Sequence, residues 1–464
     1  MNTHMTKQQS SLSPTFGRIA AFALDTRSED IPAPVREAAA LMMLDTLGVI
    51  AAASPLDAGV IARDSATLLY GSADPRYQAR MMFDGRAVSL AGATYAAATQ
   101  TDNLDGHDGY NPTKGHIGVV VIPTLATLAQ HLPDLSGPEA LAAVTVGYEV
   151  AGRAGIALHA TVSDYHTSGA WNCLGVAAMA ARLRGQDPET LRQAMGIAEY
   201  HGPRSQMMRE IATPTMLHDG SGWGALVGTS AAILAERGFT GAPAITAEAE
   251  EAAPYWADLG RFWQMQHQYV KPYPICRWAH AAIDGVRQVM LDHRLSHADI
   301  AQVHVNSFHQ AACLYQGLPP TTAIAQYALP FPVAVQIAYG RIGVEHVAGS
   351  GLTDPLVAEI MQRITVSEDP RHSSRFPAGR WADVEITTTD GRVLKSGDIN
   401  ARGGPEAPMT RDELTDKFMD FAVPCLGRAR ASALRDATLG LTAPDSRFCD
   451  VMDLLFDPIG QTIV

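Results

Sequence analysis

The sequence predicts a mainly α-helical protein. A large all-helical domain formed by both chain ends is expected to hold a smaller α+β domain between them. Two observations predict this. Hydrophobic residues make up 47% of the 464, aromatics only 7%, and Gly is abundant at 40, a composition that suits closely packed helices better than a β-sandwich. Helical periodicity also fills the chain from about residue 16 to 265 and resumes near Arg411, while the period-2 alternation of strands appears only in between. The expected boundaries are a disordered tail over 1–15, the helical domain over 16–268 and 399–464, and the α+β unit over 269–398.

The N-terminus, MNTHMTKQQSSLSPT, is polar and lacks the apolar core of a signal peptide or anchor. Pro32 and Pro34 open a helix through Leu41, Leu44 and Leu47, with proline in the first turn where its missing N–H is harmless. Another helix covers the 90s, before a polar loop. Pro123 is expected to start the next one. Ser136, with Glu139 three residues on, caps a helix running towards His159. Leu174–Leu183 and Pro188–Ala198 make two more. Gly220, Gly224 and Gly228 recur every four residues and would form one smooth helix face. Glycine costs a helix about 1 kcal/mol against alanine, so three need a packing reason. Phosphate binding is the poorer explanation, because no strand-like run precedes them.

The character changes near 265. Ile300–Phe308 and Trp381–Thr388 alternate as strands, and Asp390-Gly391 signals a hairpin turn. Helical stretches lie between at Trp278–Leu291, Ile324–Tyr339 and Asp354–Ile364. The formal charge of −13 argues against a nucleic-acid partner or an anionic membrane surface. The most apolar run, AAALMMLDTLGVIAAA, is interrupted by Asp45 and too short to span a bilayer. The five cysteines are scattered without a CxxC pair, which reads as reduced thiols in a cytoplasmic protein.

Asp102 to Gly118, DNLDGHDGYNPTKGHIG, concentrates the candidate chemistry. Gly106, Gly109, Gly115 and Pro112 make it a loop. It lies between two apolar segments, so its ionisable groups Asp102, His107, Lys114 and His116 are brought to a core edge, where desolvation shifts pKa values as acid–base work requires. A plainer reading is a solvated surface loop. His166 precedes a small-residue helix whose dipole would hold it neutral; alternatively it is a capping residue. Arg204 and Arg209 present guanidinium forks suited to a carboxylate, or are solvated, and His218 leads into the glycine face. Lys271 and Arg277, in KPYPICRWAH, sit at the inferred domain boundary, where ligand clefts form. The loop's Asp102, Asp105, His107, Asp108 and His116 have metal-ligand chemistry, but their spacing matches neither HExxH nor an EF-hand. A metal-dependent hydrolase is therefore the rival reading from another class. A nucleophile elbow, a P-loop and a Rossmann fingerprint are absent from the sequence.

Taken in order, D-x-x-D, GH-x-G, a histidine before a small-residue helix, LH-x-G and KPYP-x-C-R-x-x-H resemble the MmgE/PrpD family, which includes 2-methylcitrate dehydratase, cis-aconitate decarboxylase and iminodisuccinate epimerase. The similarity runs from about 16 to the 440s. It implies a helical domain made from both chain ends, an α+β lid, a homodimer and an active site in the interdomain cleft. It also implies cofactor-independent chemistry, with no metal, on a small anionic di- or tricarboxylate. By position, Asp102 matches the family's first active-site aspartate, His116 the histidine of its HPxG segment and His166 its second histidine. The chain departs from the pattern with Gly106 for Ser or Thr, Thr215 for the lysine of a TK-x-x-H segment, and Phe331 for a tyrosine. The longer loop adds His107, Asp108, Tyr110 and Lys114, and Lys114 is expected to supply the missing cation.

The implied first step is proton removal next to a carboxylate. His166 or His116 would act as base and acid, Asp102 would orient an imidazolium, and Lys114, Arg204, Arg209, Lys271 and Arg277 would grip carboxylates. The expected outcome is dehydration, with epimerisation and decarboxylation as alternatives.

Overall fold

Small side chains let the helices of this chain approach closely. The computed structural model describes residues 12–459, which are mostly helical with a small sheet. The first helix, Pro14–Asp25, starts inside the stretch expected to be tail, because Ser13 Oγ accepts from Phe16 N–H at 3.1 Å and caps it. Residues 1–11 of that stretch lie outside the described residues. Helices follow at Ala33–Ala53, Leu90–Asp102, Gly118–Leu128, Gly137–Thr161, Gly169–Leu183, Pro188–His201 and Ser221–Glu236. The helix Gly137–Thr161 is long and apolar enough to cross a membrane, but 94% of its apolar window is buried inside the protein.

The glycine pattern has the packing reason it needs at two of its three positions. A Cβ on Gly224 would come within 2.4 Å of Asn172 Oδ1, and one on Gly228 within 2.5 Å of the Cys173 carbonyl, so the helix Gly169–Leu183 lies against that face. Gly220 is not on the face; it precedes the helix with φ of 68°. Pro123 lies inside Gly118–Leu128 rather than starting it. The start is set from outside the helix, where the Asp108 carboxylate accepts from Gly118 N–H at 3.4 Å.

Beyond residue 270 the sheet runs in the order Ile364–Glu368, Ile300–Ser307, Trp381–Thr388, Val393–Lys395, with Ile399–Asn400 also on Trp381–Thr388. The first pair is parallel and the others antiparallel. Both strands read from alternation are present, and Gly391 turns the hairpin with φ of 87°. Ile364, read as a helix end, instead begins a strand after the helix Pro355–Met361. The stretch Ile324–Tyr339 divides into Thr322–Gln326 and Pro330–Tyr339, because Pro330 has no N–H to give to the Gln326 carbonyl. A short hairpin, Gln78–Arg80 with Ala87–Ser89, had no clear signal in the sequence.

Buried apolar side chains fall into two clusters. One joins helices before residue 271 to the C-terminal residues 414–456. The other centres on 273–401 and also takes in Val49, Leu104, Ile211 and Phe421. The helix Arg411–Gly440, broken at Gly427 with φ of 73°, packs along Ala33–Ala53. At that contact Lys417 Nζ pairs with the Asp45 carboxylate and donates to the Gly106 carbonyl at 2.7 Å. All of these atoms are buried, so the polar loop is tied from beneath.

Lys417→Met leaves Asp45 buried without its cation and is expected to cost about 3 kcal/mol of unfolding free energy in urea titration. Adding Asp45→Asn to it should recover most of that loss, because the uncompensated charge is then gone.

Candidate active site

The loop Asp102–Gly118 meets the segment Tyr269–Trp278 around a cavity of about 350 Å³, including its open mouth. Only about 20 Å³ of it is open to a water-sized molecule, little more than one water fills. The loop contributes Asp105, Lys114 and His116, and the facing segment contributes Tyr269, Lys271 and Arg277. Tyr165, Asp219, Tyr327 and Arg380 complete the polar lining from more distant parts of the chain.

Lys271 and Asp105 form a buried ion pair, and Nζ also donates to the Asp105 carbonyl at 3.1 Å. Burial alone would lower the Lys271 pKa, but the carboxylate against it leaves it above the ordinary lysine value. The ammonium is therefore kept. Beneath the loop, burial and the neighbouring Asp45 push Asp108 up to about 7.

His116 is held at three points. Its N–H donates to Ser168 Oγ at 2.9 Å, Nδ1 donates to the Asp108 carbonyl at 2.7 Å, and Nε2 lies 3.4 Å from Asp219 Oδ2. A carbonyl only accepts, so Nδ1 carries the proton and Nε2 is left with its lone pair facing the cavity. Burial lowers the His116 pKa and Lys271 lowers it further, while Asp219 opposes both. The result is a neutral imidazole that meets a carboxylate once it takes a proton. Asp219 is itself oriented by Ser168, whose N–H and Oγ donate to Oδ1 at 3.0 and 2.6 Å.

Several expected residues lie elsewhere. Asp102 accepts from Ser221 N–H at 3.1 Å and lies behind the cavity, so the carboxylate facing His116 is Asp219. Burial, with Asp219 nearby, raises Asp102 well above the usual carboxylate range. His107 is fully buried, with its ring edge-on to His116 at 4.6 Å. Its Nε2 is 3.6 Å from Asp102 Oδ1 without a hydrogen bond, and burial holds its pKa well below normal. His166 is off the cavity. The helix begins only at Gly169, so His166 precedes the cap residue Ser168, and the His166 Nδ1 faces the Asp164 carbonyl at 3.1 Å.

Arg204 and Arg209 are exposed and do not reach the cavity. In the short helix Met207–Ala212, Met207 and Ile211 turn to the cavity wall, one helical turn apart, which points Arg209 outward. His218 stands behind the wall, with Nδ1 3.4 Å from the hydroxyl of Tyr327, which donates to Glu210. Burial pushes His218 down to about 4.

Lys114 and Arg277 do line the cavity. Lys114 has φ of 56°, and its ammonium sits 4.3 Å over the Tyr165 ring. The Arg277 guanidinium lies 4.3 Å over the Tyr269 ring and donates to the Ala401 carbonyl at 2.8 Å. Among lining residues not chosen from the sequence as catalytic or carboxylate-gripping, Asp105 was marked as a possible metal ligand and in the D-x-x-D motif, and Tyr165 and Asp219 each neighbour a histidine that was chosen. Tyr327 lies shortly before Phe331 in the chain, and Phe331 is itself fully buried in the second apolar cluster. Nothing local marked Arg380.

The loop's ligand-type groups are turned to different partners: Asp105 to Lys271, Asp108 to Gly118, Asp102 to Ser221 and His116 to Asp219. Among the described residues the three-ligand cluster is instead Asp369, His372 and Asp383, between the short helix Pro370–Ser373 and the strand Trp381–Thr388, where the Arg371 guanidinium already pairs with both aspartates.

The MmgE/PrpD N-terminal domain profile matches residues 17–257, and the MmgE/PrpD C-terminal domain profile matches 273–441. The chain is 24% identical over 368 residues to the cis-aconitate decarboxylase of Mus musculus, covering 74% of each protein. It is 25% identical over 353 residues to that of Homo sapiens, covering 70% of this chain and 72% of the relative.

In ¹⁵N-histidine NMR at pH 6.5, His116 is expected as the neutral Nδ1–H tautomer, gaining charge only at lower pH. His218 should titrate near 4. An imidazolium signal from His116 at pH 7 would contradict this assignment.

Proposed function

The chain belongs to the MmgE/PrpD family, and from that premise we propose that it is a cofactor-independent hydro-lyase acting on a small di- or tricarboxylate in the manner of 2-methylcitrate dehydratase. The family and the two decarboxylase relatives support the coarser statement, an enzyme with a lyase-type reaction on a carboxylate. The observation that carries the finer reading is the His116 lone pair at Nε2, facing a cavity lined by cations. In the proposed step Nε2 takes the proton from carbon next to a carboxylate, and Asp219 stabilises the imidazolium. The charge that develops on the carboxylate as an enediolate is held by neighbouring cations. The β-hydroxyl then leaves with a proton as water, and a C=C bond forms. Tyr327, whose phenol burial keeps protonated, is the candidate donor to that hydroxyl once its O–H turns from Glu210. Lys114 stands in for the cation lost at Thr215, which is exposed.

The two relatives favour a second reading, decarboxylation of the kind their name states. In that case a C–C bond to a carboxylate breaks, CO₂ leaves, and the carbanion takes a proton that His116 has first picked up from solvent. We also propose a cytoplasmic homodimer; sedimentation of the purified protein at twice the chain mass is the expected outcome.

The deciding experiment is NMR in heavy water with citrate, 2-methylcitrate, cis-aconitate, malate, tartrates, aspartate and iminodisuccinate. Deuterium at a carbon next to a carboxylate supports proton abstraction, and the product separates hydro-lyase, decarboxylase and epimerase. His116→Gln should lower kcat about 10²–10⁴-fold. Only neutral His116 accepts a proton, so kcat/KM should stay level from neutral pH downward and fall below a pKa under 6.5. Lys114→Ala should raise KM about tenfold, the loss of one charged contact. Unchanged turnover and KM in that variant would remove Lys114 from the mechanism.

A further inference from the structure

Lys114, Arg277 and Arg380 come from three separate stretches of the chain and line one cavity. Among the described residues, none has a carboxylate within the 4.0 Å of an ion pair, whereas Lys271 in the same cavity is paired with Asp105. Arg277 and Arg380 are only 4% and 2% exposed. Arg380 is anchored on one side. Its Nη1 donates to the Pro377 and Gly379 carbonyls, and its guanidinium lies 4.8 Å over the Phe376 ring. The Nε of Arg380 and the Nε of Arg277 are both buried without an acceptor.

A buried cation with neither a counter-ion nor a full set of acceptors is strongly unfavourable, and like charges nearby make it worse. Burial lowers all three cations, and Arg380 adds repulsion to both Lys114 and Arg277, which the more distant Asp284 and Glu406 offset in part at Arg277. Lys271, by contrast, acts on His116. An anion placed among the three cations would supply the missing counter-ion and cancel the repulsion.

We propose that Lys114, Arg277 and Arg380 form an anion subsite for a second substrate carboxylate, distinct from the one beside the reacting carbon, and that Arg380 is the specificity-determining residue that makes this second carboxylate a requirement. This rests on the carboxylate-lyase reading above. It adds that monocarboxylates are poor ligands because they leave the subsite unneutralised.

The test is calorimetry on the full-length enzyme with tricarballylate, which has three carboxylates and no hydroxyl to eliminate, against butyrate. Wild type should bind tricarballylate at least about tenfold more tightly than butyrate, and Arg380→Gln should lose most of that ratio while keeping its butyrate affinity. The unliganded Tm of Arg380→Gln should be unchanged or higher, because repulsion is relieved. If Arg380→Gln does not fold, Arg380→Lys, which keeps the charge but not the fork, should give an intermediate ratio.

A preserved ratio in Arg380→Gln, or a lower Tm with the ratio preserved, overturns the subsite and leaves Arg380 a structural residue. Inorganic phosphate that binds through Arg380 without competing with tricarballylate also overturns it, by showing an anion site off the substrate path. The two readings fail separately. His116→Gln should keep tricarballylate binding within about threefold of wild type, so exchange activity surviving in that variant removes the base and not the subsite.

Discussion

The site depends on holding a polar loop inside an apolar protein. Two buried lysines do this from different parts of the chain. Lys271 closes on Asp105 from the segment that leads into the sheet-bearing part, and Lys417 closes on the adjoining Gly106 carbonyl and on Asp45 from the C-terminal helix. Removing either cation leaves a carboxylate buried without compensation, which costs far more than the pair itself gains. That asymmetry makes the loop's conformation a consequence of the whole fold. The C-terminal helix must reach back along Ala33–Ala53 before the residues near 105 have their places.

Once the loop is set, the chemistry follows from which groups remain free. The Asp108 carbonyl takes the Nδ1 proton of His116 and so determines that Nε2 faces the cavity as an acceptor. Asp219, oriented by two donors from Ser168, waits on that side. In the proposed step, burial favours neutral His116 before the reaction, and Asp219 favours the charged form after it. A base needs both conditions, and here they come from different parts of the chain.

Much of this was legible in the sequence. Apolar helices around a short ionisable loop, the KPYPICR segment, and the alternation at Ile300–Ser307 and Trp381–Thr388 are local patterns, and local patterns are what periodicity and turn chemistry report. Lys114, His116, Lys271 and Arg277 were marked and do reach the cavity. His166, Arg204 and Arg209 carried the right functional groups and point elsewhere. Their direction depends on where a helix begins and which face a short helix turns inward, within a margin of one or two residues that sequence resolves poorly. Asp102 was one acidic residue among several, and choosing between it and Asp219 requires knowing which of them approaches Nε2.

The sequence by itself determined the fold class, the loop that carries the acid–base groups and the class of chemistry those groups suit, because composition, periodicity and residue type act over short spans. Only the tertiary structure decided which carboxylate faces His116, which imidazole nitrogen is free, and that Arg380 joins Lys114 and Arg277 at one cavity. Those are relations between residues far apart in the chain, where burial and a few tenths of a nanometre separate an ion pair from an open charge.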